Sequence, residues 1–96
     1  MILSDWIAGI VEREFDEGSR KRLSEALSGL DVSIFDLQDP DRIAGAILIL
    51  FKEGVDLDVI IDEAITDWRD LLVSAGLESD SWSTVIVDRF GLSPGL

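Results

Sequence analysis

Residues 39–54 read DPDRIAGAILILFKEG, a strongly apolar run between two polar ends. From Ile43 to Phe51 it contains no charged or hydrogen-bonding side chain. A helix that crosses a bilayer needs about 20 apolar residues, so this segment is too short to be one. A segment that is apolar on every side must instead be surrounded by protein. We therefore expect a buried central element with the rest of the chain packed around it.

The residues at both ends of this stretch favour a helix over 40–53. Asp39 suits the N-cap, Pro40 suits the first helical position, and Gly54 suits the end of a helix. A buried β-strand is the alternative, but it would find a partner strand only in residues 84–87. Within the helix, Ala44-Gly45-Ala46 would let another backbone approach closely, and Ala8-Gly9 is the candidate neighbour.

The segment before it carries apolar residues at alternating spacings of three and four, the pattern of one helix face. These residues are Leu3, Ile7, Ile10, Val11, Phe15, Leu23, Ala26, Leu27 and Leu30. The pattern keeps its phase through Gly18, and acid-before-base pairs four residues apart begin at Asp16 and Glu17. We predict one helix over 4–28, weakened near Gly18 and ended by Gly29. In the connector that follows, one helical turn would bury Ile34, Phe35 and Leu37.

Two more helices are predicted after the central one, over 57–75 and 80–90. The first has Asp56 as its cap, Val55 and Ile60 at the positions of a hydrophobic staple, and Gly76 as its end. Its apolar face consists of Ile60, Ile61, Ala64, Ile65, Trp68, Leu71, Leu72 and Ala75. The last helix has Trp82, Val85, Ile86 and Phe90 on its apolar face and ends at Gly91.

The predicted fold class is all-α: a small four-helix bundle or orthogonal helical domain around the buried helix 40–53. The 96 residues suit one domain, 1–96, with residues 92–96 as a short tail. No basic leader segment precedes the apolar residues at the N-terminus, and no stretch is long enough to span a membrane. We expect a cytoplasmic protein.

The charge of the chain points to one kind of partner. With 20 acidic and 8 basic residues, the formal net charge is −12. We expect repulsion from nucleic acid and from anionic membranes, and attraction to a basic surface on another protein. The alternative is that the charge serves solubility alone.

The composition leaves little for catalysis. The chain has no cysteine, histidine or tyrosine and no glycine-rich phosphate loop, so no nucleophile–base pair follows from its spacing. We expect that the protein is not an enzyme and that it binds no cofactor or metal ion. Paired acids such as Asp39/Asp41 and Asp56/Asp58 are expected to cap helices and face solvent.

Two groups of residues are candidates for binding a partner. Trp6, with Ile2 and Ile10, flanks the main apolar stripe of the first helix and would widen its apolar face. The third predicted helix carries an acidic face away from its stripe. That face consists of Asp58, Asp62, Glu63, Asp67 and Asp70.

These features favour a small acidic, non-enzymatic protein–protein interaction module, acting as an adaptor, an inhibitor or an immunity or antitoxin-like protein. In those classes negative charge competes for a basic surface, and the analogy is one of class rather than of family. The alternative is a homo-oligomeric structural domain, such as a homodimer, that associates through the apolar flank of the first helix.

A more remote alternative rests on Asp80-Ser81-Trp82, which resembles the Asp-Ser-Leu attachment site of acyl and peptidyl carrier proteins. That family is also small, acidic and four-helical. Its serine opens the second helix, whereas only one predicted helix follows Ser81 here. Leu30-Asp31-Val32-Ser33 is better placed along the chain, but it separates the aspartate from the serine.

Overall fold

A computed structural model describes residues 1–36 and 38–94, and within them the chain is entirely helical apart from turns and connectors. The α-helices are α1 (Asp5–Glu14), α2 (Glu17–Ser28), α3 (Pro40–Lys52), α4 (Leu57–Thr66), α5 (Trp68–Ala75) and α6 (Trp82–Phe90). A short 3₁₀ helix, Val32–Phe35, lies between α2 and α3. The all-α prediction is confirmed, but the described residues form six α-helices rather than four.

Helix α3 is the centre of the molecule, as its sequence predicts. Every residue from Ile43 to Leu50 is buried, and α3 contacts α1, α4, α5 and α6. The carboxylate of Asp39 accepts a hydrogen bond from the backbone N–H of Asp41, and Pro40 occupies the first turn. The cap and proline define the start of this helix, and its burial explains why its side chains are apolar on all faces.

The first predicted helix, 4–28, is in fact two helices, so that prediction is wrong. The chain leaves α1 at Phe15, whose backbone is extended with φ −129° and ψ 148°. Asp16 then caps α2 by accepting a hydrogen bond from the backbone N–H of Ser19. That bond is the main reason that the pKa of Asp16 lies below its usual value. Gly18, the expected weak point, lies inside α2.

Side chains from other helices stabilise this break. The last carbonyls of a helix have no partner within it, and a break exposes them. Lys52 of α3 donates a hydrogen bond to the backbone carbonyl of Glu14 at 2.6 Å. Arg20 of α2 donates to the carbonyl of Glu12 at 3.2 Å. Both donors act at the C-terminal end of α1, where a positive charge also suits the helix dipole.

Phe15 gains a tertiary contact by leaving the helix. Its ring stacks on that of Phe51, with the ring centroids 5.7 Å apart. Phe90 of α6 lies on another side, at 6.5 Å. The break therefore lets one aromatic side chain join α1 to both α3 and α6.

The helix predicted over 57–75 is also divided, at Asp67. The backbone N–H of Asp67 donates to the carbonyl of Glu63 and ends α4, while its carboxylate accepts from the backbone N–H of Asp70 and caps α5. The prediction that one apolar face of this segment is buried along its whole length is therefore wrong in part. Ile65, a predicted core residue, is 55% exposed, and Trp68 is only partly buried.

Close helix packing occurs at Gly45, although not with the expected neighbour. A Cβ atom on Gly45 would lie 2.2 Å from Cδ1 of Ile86, which belongs to α6. Ala8-Gly9 is not the partner: a Cβ on Gly9 would meet Leu92 at 3.0 Å instead. The prediction of a tight contact at Gly45 is thus confirmed. The helix on the other side of that contact is α6 rather than α1.

Described residues of both the predicted connector and the predicted tail pack in or against the core. In the connector Phe35 is buried and Ile34 is 39% exposed, whereas Leu37 lies outside the described residues. In the predicted tail, Leu92 packs against the core and its carbonyl accepts a hydrogen bond from Trp6. Residues 95–96 lie outside the described part of the chain. None of the helices described has the length and apolar character needed to cross a membrane.

Candidate functional site

The apolar residues proposed for a partner surface do not form an exposed strip. Trp6 is only 7% exposed, and its indole N–H donates to the carbonyl of Leu92 at 2.7 Å. Ile10 is completely buried, whereas Ile2 is 95% exposed. Trp6 and Ile10 therefore belong to the core, and of the three candidates only Ile2 is exposed to solvent. Trp6 faces inward because the segment after α6 supplies both an acceptor for its N–H and the packing of Leu92.

Four of the five acidic candidates lie close together around the junction of α4 and α5. The pKa of Glu63 is raised by a hydrogen bond with the Asp70 side chain and by the negative charges of Asp70, Asp67 and Asp62, which shows that these groups are neighbours. Because Asp67 ends one helix and caps the next, the turn brings Asp70 back towards Glu63. We call Asp62, Glu63, Asp67 and Asp70 the carboxylate cluster.

The electrostatics of the carboxylate cluster are unfavourable when all of its members are ionised. A hydrogen bond to Asp70 is the main cause that raises the pKa of Glu63, since only the protonated carboxyl can donate it. Partial desolvation and the negative charges of Asp70, Asp67 and Asp62 raise the pKa further. The ion pairs of the described residues are Arg69–Asp36 and Arg89–Glu53, and neither of them neutralises the cluster.

Asp58, the fifth acidic candidate, lies one turn before Asp62 in the first turn of α4, away from the Asp67 turn. It lies with Leu57 at the start of α4, in a shallow depression shared with Arg22 and Glu25 of α2. Its backbone N–H donates to the carboxylate of Asp56, the N-cap of α4. The helix-capping role expected of the paired acids is confirmed at Asp39 and Asp56, while the acidic face predicted along one helix is shorter than expected.

An apolar cleft adjoins the carboxylate cluster, and sequence patterns did not predict it. The cleft has a volume of about 150 Å³. Its lining consists of Leu50, Val55, Val59, Ile60, Glu63, Leu71 and Ser74. Val59, at 58% exposed, is the most accessible of its apolar residues. Glu63 belongs both to the cleft and to the carboxylate cluster, so an apolar and an acidic region form one continuous surface.

Helical spacing explains how the two regions meet. Val59 and Glu63 are four residues apart on α4, and therefore lie one turn apart on the same helix face. Asp70 and Ser74 have the same relation on α5. Glu63 is the member of the cluster that lines the cleft, and Val59 lies one turn further from the Asp67 turn. The sequence feature that could have indicated the cleft is Val59, an apolar residue that lies outside the predicted apolar stripe.

A second depression lies on another side of α5. It is lined by Gln38, Arg42, Trp68, Arg69, Leu72, Val73 and Glu78. Both arginines are already engaged: Arg42 donates to the carbonyl of Leu77 and to Gln38, and Arg69 pairs with Asp36 and lies 4.4 Å from the centre of the Trp68 ring. These contacts indicate a structural role.

The serine of the carrier-like motif precedes the last described helix. Ser81 stands at the N-cap position of α6, and its hydroxyl lies 2.9 Å from that of Ser79. No further described helix follows α6. The departure from carrier proteins noted in the sequence therefore holds in the described structure.

Comparison with known proteins gives no independent guide to function. No protein-family model, no curated protein and no solved structure matches this chain. Within residues 1–36 and 38–94, no group of three or more acidic side chains has the arrangement needed to hold a metal ion. The surface around α4 and α5 presents carboxylate oxygens beside exposed aliphatic carbon.

Proposed function

We propose that this chain is a small acidic, non-enzymatic module that binds a basic surface of another protein through α4 and α5. The observation that supports the proposal is the carboxylate cluster, four acids held together with none of them in the ion pairs of the described residues. Three further carboxylates raise the pKa of Glu63 by their charge or by hydrogen bonding. A lysine or arginine from a partner would relieve that repulsion.

The cluster is also built on fixed backbone. Asp67 is the N-cap of α5, and Asp70 lies in the first turn of that helix. The backbone N–H of Asp70 donates a hydrogen bond to the Asp67 carboxylate and fixes its orientation. Charges held in this way lose little conformational freedom when a partner binds. The net charge of −12 would add long-range attraction and speed the encounter with a basic protein. Adaptors, inhibitors and antitoxin-like proteins can all use such a surface.

The proposal is tested by affinity capture from the cells of origin, with wild type and two variants as bait. In the first variant, Glu63→Gln, Asp67→Asn and Asp70→Asn remove three charges from the cluster, and asparagine retains the capping ability of residue 67. The control variant loses the same charge elsewhere, through Glu12→Gln, Asp80→Asn and Asp88→Asn, which are exposed positions.

We expect wild type and the control to capture the same basic protein, and the cluster variant to lose it. Higher salt should release the captured protein, because exposed charge pairs are screened at high ionic strength. Equal capture by both variants would contradict binding through the cluster. Circular dichroism of the three proteins should show the same helix content.

A further inference from the structure

The cleft beside the carboxylate cluster has the dimensions of a single side chain. At about 150 Å³ it is comparable to apolar cavities that accept a benzene-sized group. Its walls come from α3, α4, α5 and the connector between α3 and α4, and Leu50, Ile60 and Leu71 form its buried floor. Val55 and Val59 remain 37% and 58% exposed at its rim. An apolar group placed there would remove both valines from water.

The position of Glu63 adds a charge requirement to this apolar one. Glu63 lines the cleft one helical turn from Val59, and Asp70 lies beside it. One turn of an α-helix rises about 5.4 Å. Consider a helix that binds with an apolar side chain in the cleft. The side chain one turn further along that helix would then lie beside the carboxylates.

We propose that the cleft receives one aliphatic or aromatic side chain of a basic amphipathic helix, and that a lysine or arginine three or four residues away on that helix pairs with Glu63 and Asp70. This inference rests on the proposed function and specifies the kind of partner. A helix presents residues three and four apart on one face, which is the spacing that the cleft and the carboxylates require.

Charge complementarity decides between this occupant and a second copy of the chain. Two copies meeting through this face would bring their carboxylate clusters together, and each protein carries a net charge of −12. Like charges facing each other across an interface cost several kcal/mol. A helix with cationic residues beside its apolar anchor instead supplies the charge that the cluster lacks.

The test uses two synthetic peptides of about 18 residues, or five helical turns. In the first, leucine and lysine are four residues apart, and in the second the same residues are permuted so that this spacing is lost. The binding of each labelled peptide to the full chain is measured by fluorescence anisotropy. Two protein variants accompany wild type: Val59→Asp in the cleft, and Ile65→Asp on the same helix but outside the cleft lining.

The two variants add the same charge at similarly exposed positions, since Val59 is 58% and Ile65 is 55% exposed. A purely electrostatic surface would bind lysine peptides more tightly after either change. Docking into the cleft predicts the opposite result for Val59→Asp, which places a carboxylate where an apolar side chain must be buried. We expect that variant to bind the patterned peptide about tenfold more weakly, and Ile65→Asp to bind at least as well as wild type.

The possible failures have different meanings. If Val59→Asp binds as tightly as wild type, or if the permuted peptide binds as well as the patterned one, the cleft is not the docking site, and the proposed electrostatic function stands alone. If wild type binds neither peptide even at low salt, both proposals fail. Thermal unfolding of each variant confirms that it is folded at the temperature of the assay.

Discussion

Gly45 of α3 lies against Ile86 of α6 so closely that a Cβ atom at residue 45 would stand 2.2 Å from Cδ1 and 3.0 Å from Cγ1 of the isoleucine. Ile86 is fully buried, so its side chain cannot swing aside into solvent. Leu77 lies on the same side, 3.7 Å from the position of that added atom. The absence of a side chain at Gly45 is thus what allows the last helix to pack on the central one.

Gly45→Ala should therefore destabilise the protein, although alanine favours helices over glycine by about 1 kcal/mol. Overpacking of a tight core typically costs 1–3 kcal/mol, and here the extra methyl meets a buried side chain. After the gain in helix propensity is subtracted, we expect a net loss of up to about 2 kcal/mol in the free energy of unfolding, measured by urea denaturation.

A second substitution provides the control for steric conflict. Ile86→Val removes Cδ1, the atom nearest to the added methyl, so Gly45→Ala should cost less in an Ile86→Val background. Gly18→Ala supplies the opposite comparison, because an added Cβ there meets only Asp16, at 3.7 Å. It should raise stability by about 0.5–1 kcal/mol. Equal effects of the two glycine substitutions would disprove the steric explanation.

The central helix could be predicted because its local and long-range signals agree. Asp39 and Pro40 mark where it begins, and the apolar run from Ile43 requires burial whatever surrounds it. The identity of its neighbour at Gly45 could not be predicted, since a small-residue patch shows that something packs closely without showing which element does so.

The divided helices show that the helical spacing of apolar residues does not reveal where one helix ends and the next begins. Asp16 can pair with Arg20 in a continuous helix or cap a new one, and both arrangements use the same residues in the same phase. The choice depends on contacts distant in sequence, such as the bond from Lys52 to the Glu14 carbonyl and the stacking of Phe15 on Phe51. Local spacing carries no record of such contacts.

The candidate site could be predicted in part for the same reason. The acids could be recognised as one face of a helix, but the approach of Asp70 to Glu63 depends on the turn at Asp67, which the helical spacing did not predict. The cleft was not predicted, because its floor combines residues of three helices. Trp6 was misplaced because its hydrogen-bond acceptor, the Leu92 carbonyl, lies 86 positions further along the chain.

That hydrogen bond leads to a second prediction, about the segment after α6. Trp6→Phe keeps an aromatic ring but leaves the Leu92 carbonyl, a partly buried group, without the indole donor. A net loss of about 1 kcal/mol is expected for the hydrogen bond, plus a smaller loss from the reduced ring. Chemical denaturation of wild type and Trp6→Phe measures the difference.

The specific contribution of the bond is isolated by a chain that ends at Gly91. In that background Trp6 has already lost its acceptor, so Trp6→Phe should cost about 1 kcal/mol less than it does in the full chain. If the substitution costs the same in both backgrounds, the indole bond contributes nothing measurable and Trp6 acts only by packing.

The third prediction concerns pH and the carboxylate cluster. The pKa of Glu63 in the folded chain is raised above its ordinary value of 4.5, chiefly by the hydrogen bond to Asp70, so the protonated form favours folding. This contribution is fully present below the pKa of the unfolded chain and is lost as pH rises through the folded pKa. At pH 7 Glu63 is therefore ionised at a cost to stability. Glu63→Gln removes the charge and keeps an N–H that can donate to Asp70.

We expect Glu63→Gln to raise the melting temperature at pH 7 by about 1–3 °C, because neighbouring like charges on helices cost a few tenths of a kcal/mol. The gain should shrink as pH falls through the raised pKa of Glu63 and disappear below the ordinary value of 4.5, where Glu63 is itself protonated. Glu12→Gln, at an exposed position on α1, provides the matched control for loss of one negative charge. A gain that is equal for the two variants, or that does not change with pH, would show that net charge rather than the Glu63–Asp70 contact is responsible.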